Sequence, residues 1–316
     1  MAYYLVTGGA GFIGSHLVAE LVARGERVRV LDNFSTGRQA NLEPYLSRIE
    51  VMEGDIRSYH LVRQAAAGMD YVLHQAALPS ASRSVRDPLT SNEVNVTGTL
   101  NVLQAALEGQ VKRLIFASSA SVYGDTPALP QHESMAPRPR SPYAISKLAA
   151  EQYCQGFWQL YGLETVALRY FSVFGPRQEP VSQYAAVIPK FITALLAEER
   201  PVIFGDGSQS RDFTFVGNVV QANLKACTAP AAVGGVFNIA CGQRTSLLDL
   251  VAHLTRLTHR RADVLHTAPR PGDVAHAQAD ISLARSHLGY EPQHSLAEGL
   301  RRTLEWYRPP PPTGVS

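Results

Sequence analysis

Short apolar runs alternate with longer stretches of helical period through the first half of the chain. Residues 3–6, 27–31, 50–52, 71–74, 113–117 and 165–169 read as strands. Between them, residues 12–24, 61–67, 91–107 and 142–160 carry apolar positions at helical spacing and read as helices. Parallel strands need a long crossover, so this alternation predicts an α/β fold, a doubly wound parallel sheet with helices on both faces. Such a sheet binds its ligand beyond the carboxyl ends of its strands, where strand order reverses.

After Phe171 the pattern loosens. Turn-rich stretches at 175–180, 205–207 and 269–272 separate helical stretches at 185–197, 218–226, 247–257 and 296–307. We expect a dinucleotide-type first domain over 1–171 and a smaller C-terminal α/β lobe over 172–308, its segments interleaved with the first domain. A disordered tail over 309–316 should follow, since four consecutive prolines cannot continue a helix.

The composition agrees with this picture and narrows it. Of 316 residues, 45% are apolar and 18% charged, which excludes a disordered, collagen-like or coiled-coil chain. A balance of 29 basic against 27 acidic residues leaves no field for a nucleic-acid backbone, although a few arginines could still meet a small anion. Three cysteines, Cys154, Cys227 and Cys241, follow no C-x-x-C spacing, and the ten histidines form no H-E-x-x-H, so neither a disulfide framework nor a metal site is expected. No run is long enough to span a bilayer, and no basic region precedes the first apolar run as in a signal peptide. The expected location is cytoplasmic, with no membrane partner.

The first strand leads into Thr7-Gly8-Gly9-Ala10-Gly11-Phe12-Ile13-Gly14 and then a helix. Gly8 permits a tight turn, Gly11 lets backbone approach a pyrophosphate at the helix N-terminus, and Gly14 lets helix and strand pack closely. Three glycines alone are weak evidence. Here they follow a strand, open a helix, and are followed by Asp32 at the end of the second strand, the context of a Rossmann-like dinucleotide site. A carboxylate at Asp32 would accept from a ribose diol and repel a 2′-phosphate, which favours NAD over NADP. Asp55 and Ile56, past the third strand, are placed to bracket the adenine.

Ser118-Ser119 ends the fifth strand, and Tyr143 and Lys147 stand at i and i+4, on one helical face. An ammonium beside a phenol favours the phenolate, so Tyr143 could act as a base near neutrality, with Ser119 on the same substrate oxygen. By itself Y-x-x-x-K is an ordinary amphipathic pattern; the glycine turn, Asp32 and the serine-rich strand end give it weight.

Taken together, these segments resemble an extended short-chain dehydrogenase/reductase of the nucleotide-sugar epimerase/dehydratase group, with UDP-hexose 4-epimerases the nearest match. The likeness runs from Tyr3 to about Tyr307 and includes Asp32-Asn33-Phe34-Ser35-Thr36-Gly37, Gly54-Asp55-Ile56, His74-Gln75-Ala76-Ala77, Asn95-Val96-Thr97-Gly98-Thr99, Arg169-Tyr170-Phe171, Gly205-Asp206-Gly207, Arg211-Asp212-Phe213 and Arg270-Pro271-Gly272-Asp273. It implies an NAD retained through the cycle, held by Gly8, Gly11, Phe12, Ile13, Gly14, Asp32, Asn33, Ser35, Thr36, Gly37, Asp55, Ile56, Gln75, Ala76, Ala77, Asn95, Tyr143, Lys147, Tyr170 and Phe171. It implies that Tyr143 takes the proton of the sugar 4-hydroxyl while hydride leaves C4, and that the 4-keto intermediate turns over and takes the hydride back on its other face. Lys147 would tune Tyr143 and hold the nicotinamide ribose, and Ser119 would hold the reacting oxygen. His74 would be structural.

Within that group, a 4,6-dehydratase needs an Asp-Glu pair after the serine, and a uronate decarboxylase carries a glutamate at the second position. Here the two positions are Ala120 and Ser121, with no ionisable group to move a second proton, so oxidation should be followed only by reduction. By the same likeness Arg211 and Arg270 take the diphosphate, suited by their guanidinium forks. Asp273 takes the uridine ribose, Phe204 stacks on uracil, and Ala186 and Val187 lie nearest the base. A large aromatic residue at the position of Ala277 restricts related pockets to glucose and galactose, so the small Ala277 favours UDP-GlcNAc and UDP-GalNAc, with UDP-glucose and UDP-galactose beside them.

The sequence also departs from the pattern. Ser172 stands for a usual asparagine, and Ser121 with Ser172 could receive a carboxylate, which keeps UDP-glucuronate 4-epimerisation as the alternative. Pro79 stands for a lysine of some relatives, leaving Ser80, Ser82 and Arg83 as alternative sugar contacts; Asn218 replaces a frequent aspartate. A sensor that binds the dinucleotide without turnover is a reading of another class. The resemblance further implies a homodimer through the helices at 91–107 and 142–160.

Overall fold

The computed structural model describes residues 1–180, 186–260, 263–269 and 275–308. Its centre is a seven-stranded, wholly parallel sheet. In chain order the first half runs β1 (Tyr3–Thr7), α1 (Phe12–Ala23), β2 (Arg27–Asp32), β3 (Glu50–Glu53), α2 (Tyr59–Ala66), β4 (Tyr71–His74), α3 (Ala81–Arg86), α4 (Pro88–Asn92), α5 (Gly98–Glu108), β5 (Arg113–Ser119), α6 (Pro142–Tyr161) and β6 (Glu164–Tyr170). The second half runs β7 (Val173–Phe174), α7 (Val187–Leu196), β8 (Val202–Phe204), β9 (Ser210–Arg211), β10 (Thr214–Phe215), α8 (Val216–Thr228), β11 (Val236–Ile239), β12 (Thr245–Ser246), α9 (Leu247–Thr258), β13 (Leu265–Thr267), α10 (Ser282–Leu288) and α11 (Leu296–Tyr307).

Strand order is β11-β6-β5-β4-β1-β2-β3. The chain runs outward from β1 to β3, then returns to the far side of β1 with β4, so the order reverses between β1 and β4. Side chains along each strand alternate between two apolar layers. Tyr4, Val6, Ile115 and Ala117 pack with Leu17 and Leu21 of α1 and Val219 and Ala222 of α8. Leu5, Leu114 and Phe116 pack with Val62 of α2, Leu103 of α5, and Ala150 and Phe157 of α6. Both faces are covered, as a parallel sheet requires. A third apolar cluster, with Phe174, Phe191, Phe215, Leu250 and Leu300, belongs to the second half.

Three features differ from the sequence expectation. The helix expected over 91–107 is two helices joined by a π-helical turn at Glu93–Thr97. That wider turn buries Asn95, whose side chain accepts from Leu78 N at 2.8 Å and donates to Ser146 Oγ at 3.0 Å. Short helices α3 and α10 were not expected, and β11 adds a seventh strand from beyond residue 172. The helix expected from residue 185 begins at Val187; residues 181–185, like the 309–316 tail, lie outside the described residues. Cys154 and Cys227 are buried, and all three thiols are free. Among the described residues no helix is long and apolar enough to cross a membrane.

His74, at the end of β4, is buried between Thr7 Oγ1 (2.7 Å from Nδ1) and Thr99 Oγ1 (3.0 Å from Nε2). Thr99 donates to Asn95 O at 2.6 Å, so it accepts from Nε2–H, and Nδ1 accepts from Thr7. The ring is held neutral, and burial pushes its pKa down to about 3. Between about pH 3 and the unperturbed histidine value of about 6.5 the unfolded chain therefore binds the proton that the folded chain refuses. The contribution is complete above about pH 6.5 and is lost as pH falls toward 3. Denaturant unfolding across this range should show His74→Gln with a shallower acid loss than the natural chain; parallel profiles would contradict this role.

Candidate functional site

The carboxyl ends of β1, β2, β4, β5 and β6 bring most of the expected first-half residues to the strand-reversal crevice. After β1, Gly8 adopts φ +69°, and a Cβ there would meet Ala76 N at 2.7 Å. A Cβ on Gly14 would stand 2.1 Å from Gly8 O, so turn and helix can touch only if this residue is glycine. Gly11 caps α1 without a side-chain bond, and neither an acidic side chain nor a capping one claims the first turn, leaving the N–H groups of Phe12, Ile13 and Gly14 suited to an anion.

Asp32 organises the far side of this turn. Its Oδ2 accepts from Ala10 N at 2.9 Å and its Oδ1 from Phe34 N at 2.8 Å, and burial holds its pKa above the ordinary carboxylate value. A Cβ on Gly37 would lie 3.1 Å from Asp32 Oδ2. Asn33 Nδ2 donates to Asp55 Oδ2 at 2.8 Å, while Arg57 draws the Asp55 pKa down to about 2. Asn33 Oδ1 accepts from Ser35 N, and Thr36 is exposed beside it. Ile56 is buried against Gly98 at the α5 start. Ala76 and Ala77 follow β4 and complete the rim, with Ala76 N donating to Thr7 Oγ1.

This set fits an NAD. The turn packs so closely that a Cβ at Gly8 or Gly14 would strike backbone, the helix N-terminus suits a pyrophosphate, and a carboxylate with no adjacent cation suits a ribose diol. Arg38, the next cation along the chain, is paired with Glu179.

Four of the expected contacts have side chains turned to protein partners. The Tyr170 hydroxyl lies in a buried cluster with Gln75 Nε2 (3.2 Å) and Asn223 Nδ2 (2.8 Å), and the Gln75 side chain is turned to that cluster. The Phe171 ring is buried against Tyr123. Asn95 spends its amide on Leu78 and Ser146, as described above. Each is drawn inward because a buried polar group needs partners and an aromatic ring needs cover.

At the end of β5, the Ser119 hydroxyl stands close enough to the Tyr143 phenol to oppose the rise in its pKa. The α6 helix starts at Ser141, whose hydroxyl caps Ala144 N, with Pro142 in the first turn. Tyr143 N donates to Ser84 Oγ at 2.9 Å, which ties this start to α3. One turn on, Lys147 is buried, donates to Ala117 O at 2.8 Å, and has its pKa lowered to about 8 by burial. Burial raises the Tyr143 pKa, and Ser119 opposes that rise. The ammonium is engaged by a carbonyl of β5 instead of the phenol. Ser121 Oγ is buried with no hydrogen-bond partner among the described residues.

The expected substrate residues are carried by separate elements. Ser80, at φ +104°, caps α3 through Arg83 N and meets Ser82. Ser172, at φ +30°, is exposed and accepts from Thr214 N. Arg211 Nη1 donates to Ser210 O and Ala275 O, and Ala277 N donates to Ser210 O, so Arg211 and Ala277 are carried by one pair of adjacent segments. Phe204 ends β8 beside Thr267 of β13, and Ala186 and Val187 start α7. Arg270 and Asp273 lie outside the described residues.

Sequence reasoning did not find Asp212 or Glu151. Asp212 is buried, accepts from Cys241 N (2.9 Å) and Ala279 N (3.2 Å), and has its pKa raised to about 6 by burial; it holds the Ala277 segment in place. Glu151 stands four residues beyond Lys147, a charge on the face of α6 that turns inward; that spacing was the signal available.

Residues 4–240 match the family model described as the NAD dependent epimerase/dehydratase family. A UDP-glucose 4-epimerase of Mycolicibacterium smegmatis is 40% identical over 308 residues, covering 96% of this chain and 98% of that protein. Among solved structures, a UDP-N-acetylglucosamine 4-epimerase from Methanobrevibacter ruminantium in complex with UDP-N-acetylmuramic acid matches with TM-score 0.93 and 40% identity over 97% of this chain and 98% of that one. A Thermus thermophilus UDP-glucose 4-epimerase in complex with NAD matches with TM-score 0.88 and 35% identity over 96% and 98%.

The glycine contacts give a direct test. Gly14→Ala must displace the turn, and NAD affinity by titration should fall at least about tenfold, since a shift of roughly 1 Å already degrades such a site. Unchanged affinity would show that the turn is not the cofactor cradle.

Proposed function

We propose that this chain, which belongs to the NAD-dependent epimerase/dehydratase family, epimerises a UDP-sugar at C4. The observation that carries the reading is the placing of the Ser119 hydroxyl near the Tyr143 phenol at the end of β5, followed by Ala120 and Ser121 where a second acid or base would have to stand. Gly8, Gly11, Gly14 and Asp32 would hold the pyrophosphate and ribose of NAD, and Lys147 its nicotinamide ribose. When bound, NAD supplies a reversible hydride acceptor.

Tyr143 would take the proton from the sugar 4-hydroxyl and return it in the reverse step, with Ser119 fixing the same oxygen. The Lys147 ammonium, released from Ala117 O by a bound ribose, would lower the energy of the phenolate. With neutral side chains at 120 and 121, nothing else at this strand end moves a proton to or from C5 or C6. Arg211, joined by Arg270, would take the diphosphate, and Asp273, Phe204, Ala186 and Val187 the uridine. The small Ala277 favours an N-acetylhexosamine over a hexose alone.

A second reading, UDP-glucuronate as substrate, is favoured by the Ser121 hydroxyl, unpartnered among the described residues, and by Ser172, which could together donate to the oxygens of a carboxylate. We also propose a homodimer through α5 and α6, where Leu160, Tyr161 and Tyr153 are exposed beside Phe157.

Incubating UDP-GlcNAc, UDP-glucose and UDP-glucuronate separately without added NAD should give C4 epimers, most rapidly from UDP-GlcNAc. Tyr143→Phe should lose about 10²- to 10⁴-fold in kcat, and Ala277→Tyr should suppress the N-acetylated substrate alone. No epimer from any of the three would sink the activity; equal loss on all substrates in Ala277→Tyr would sink the pocket assignment.

A further inference from the structure

Beneath the site lies a charged cluster that the reaction itself does not use. Glu151 of α6 and Arg169 of β6 form an ion pair with side chains only 1% and 4% exposed. Arg169 Nη2 donates to Glu151 Oε1 at 2.6 Å and Nε to Oε2 at 3.0 Å, a two-pronged contact of fixed geometry. Glu151 Oε2 also accepts from Ser118 Oγ of β5 at 2.7 Å. The Arg169 guanidinium lies 4.8 Å from the centroid of the Tyr123 ring, and Tyr123 in turn donates to Asn238 Oδ1 of the β11 strand at 2.7 Å.

Burying two charges is expensive, and an apolar pair of similar volume would be as stable or more so. Stability therefore does not account for the pair, whereas its connections suggest another role. Ser118 precedes Ser119 in the chain. Glu151 stands one helical turn from Lys147 and two from Tyr143. Arg169 faces Ser118 across the β5–β6 ladder, as Tyr170 faces Ser119. Tyr123 closes the short turn that follows Ser119. The apolar contacts of α6 on this sheet, through Ala150, Cys154 and Phe157, resist separation but define the position along the helix axis only loosely. One carboxylate bonded to two neighbouring strands defines it closely.

We propose that Glu151 is a positioning residue which, through Ser118 and Arg169, sets the axial register of α6 on β5 and so the alignment of Tyr143 with Ser119. The kinetic part of this inference rests on the epimerase reading; the geometric part does not. A displacement of roughly 1 Å between reacting groups is worth about 100-fold in rate, so a small slip of the helix would be costly to turnover while leaving the glycine turn, Asp32 and the Arg211 segment, which other elements carry, in place.

The test replaces the pair together, Glu151→Met with Arg169→Met, so that no buried charge is left alone. The expected result is a folded protein with KM within about twofold of the natural chain, kcat reduced about 100-fold, and a crystal structure in which α6 has moved along its axis and carried the Tyr143 hydroxyl away from that of Ser119. A folded variant that keeps both kcat and the natural spacing of the Tyr143 and Ser119 hydroxyls overturns the proposal, as does a parallel loss of kcat and KM. If the double variant does not fold, Ser118→Ala decides, since it removes only the tie to β5: kcat should fall about tenfold at constant KM, and unchanged kcat with an unchanged Tyr143–Ser119 spacing overturns the proposal. Should the natural chain itself turn over no UDP-sugar, the functional reading fails, and the crystal structures of the same variants still decide the register.

Discussion

Helix α6 takes a phenol and an ammonium out of water and sets them against the carboxyl end of one strand, and the chemistry depends on that placement. Burial raises the Tyr143 pKa and lowers that of Lys147 to about 8, so both groups are biased toward their neutral forms. A buried phenol that must give up its proton needs compensation from nearby donors. Ser119 supplies one such contact here, and Lys147, now held by Ala117 O, is within the same strand end to supply another. The rest of the architecture serves to hold this arrangement: β5 sits centrally in the sheet, the reversal of order between β1 and β4 opens the crevice beside it, and the glycine turn brings backbone N–H groups to the same edge.

The half of the molecule that obeys simple periodicity was legible in the sequence. Strands β1 to β6 lie where apolar runs are bounded by turns, and Gly8, Gly14 and Asp32 stand where their spacing placed them. Less was legible where tertiary demands override local pattern. The π-turn at Glu93–Thr97 follows from the need of Asn95 to satisfy Leu78 and Ser146, partners distant in sequence. Strand β11 has only four residues after a glycine pair, too few to announce a strand, yet it pairs with β6 over its full length. Tyr170 and Gln75 look in sequence like ligand contacts, and only the position of Asn223 on α8 shows where their polar groups turn.

Buried polar groups form the connecting material of this protein. His74 links the glycine turn to α5, Asp212 links the Arg211 segment to that of Ala277, and Asn218 accepts from Gln293 N and His294 N at 2.9 Å each, fastening the approach to α11. Asp212 and Asn218 satisfy backbone N–H groups that would otherwise be buried without partners, and His74 pairs two threonine hydroxyls. The Glu151–Arg169 pair belongs to this class and differs in being charged. The two halves of the chain are joined by the apolar layer that α8 shares with the sheet, by β11 on β6 and by polar clusters such as Tyr170 with Asn223.

The central claim is that oxidation and reduction at C4 exhaust the chemistry, because Tyr143 is the one proton-transfer group at this strand end and residues 120 and 121 are not ionisable. Turnover of a UDP-sugar in D2O, followed by NMR of the epimerised product, tests this directly. The account predicts inversion at C4 with no solvent deuterium on carbon. Deuterium at C5, or at C4 itself, would reveal a second proton transfer and contradict it.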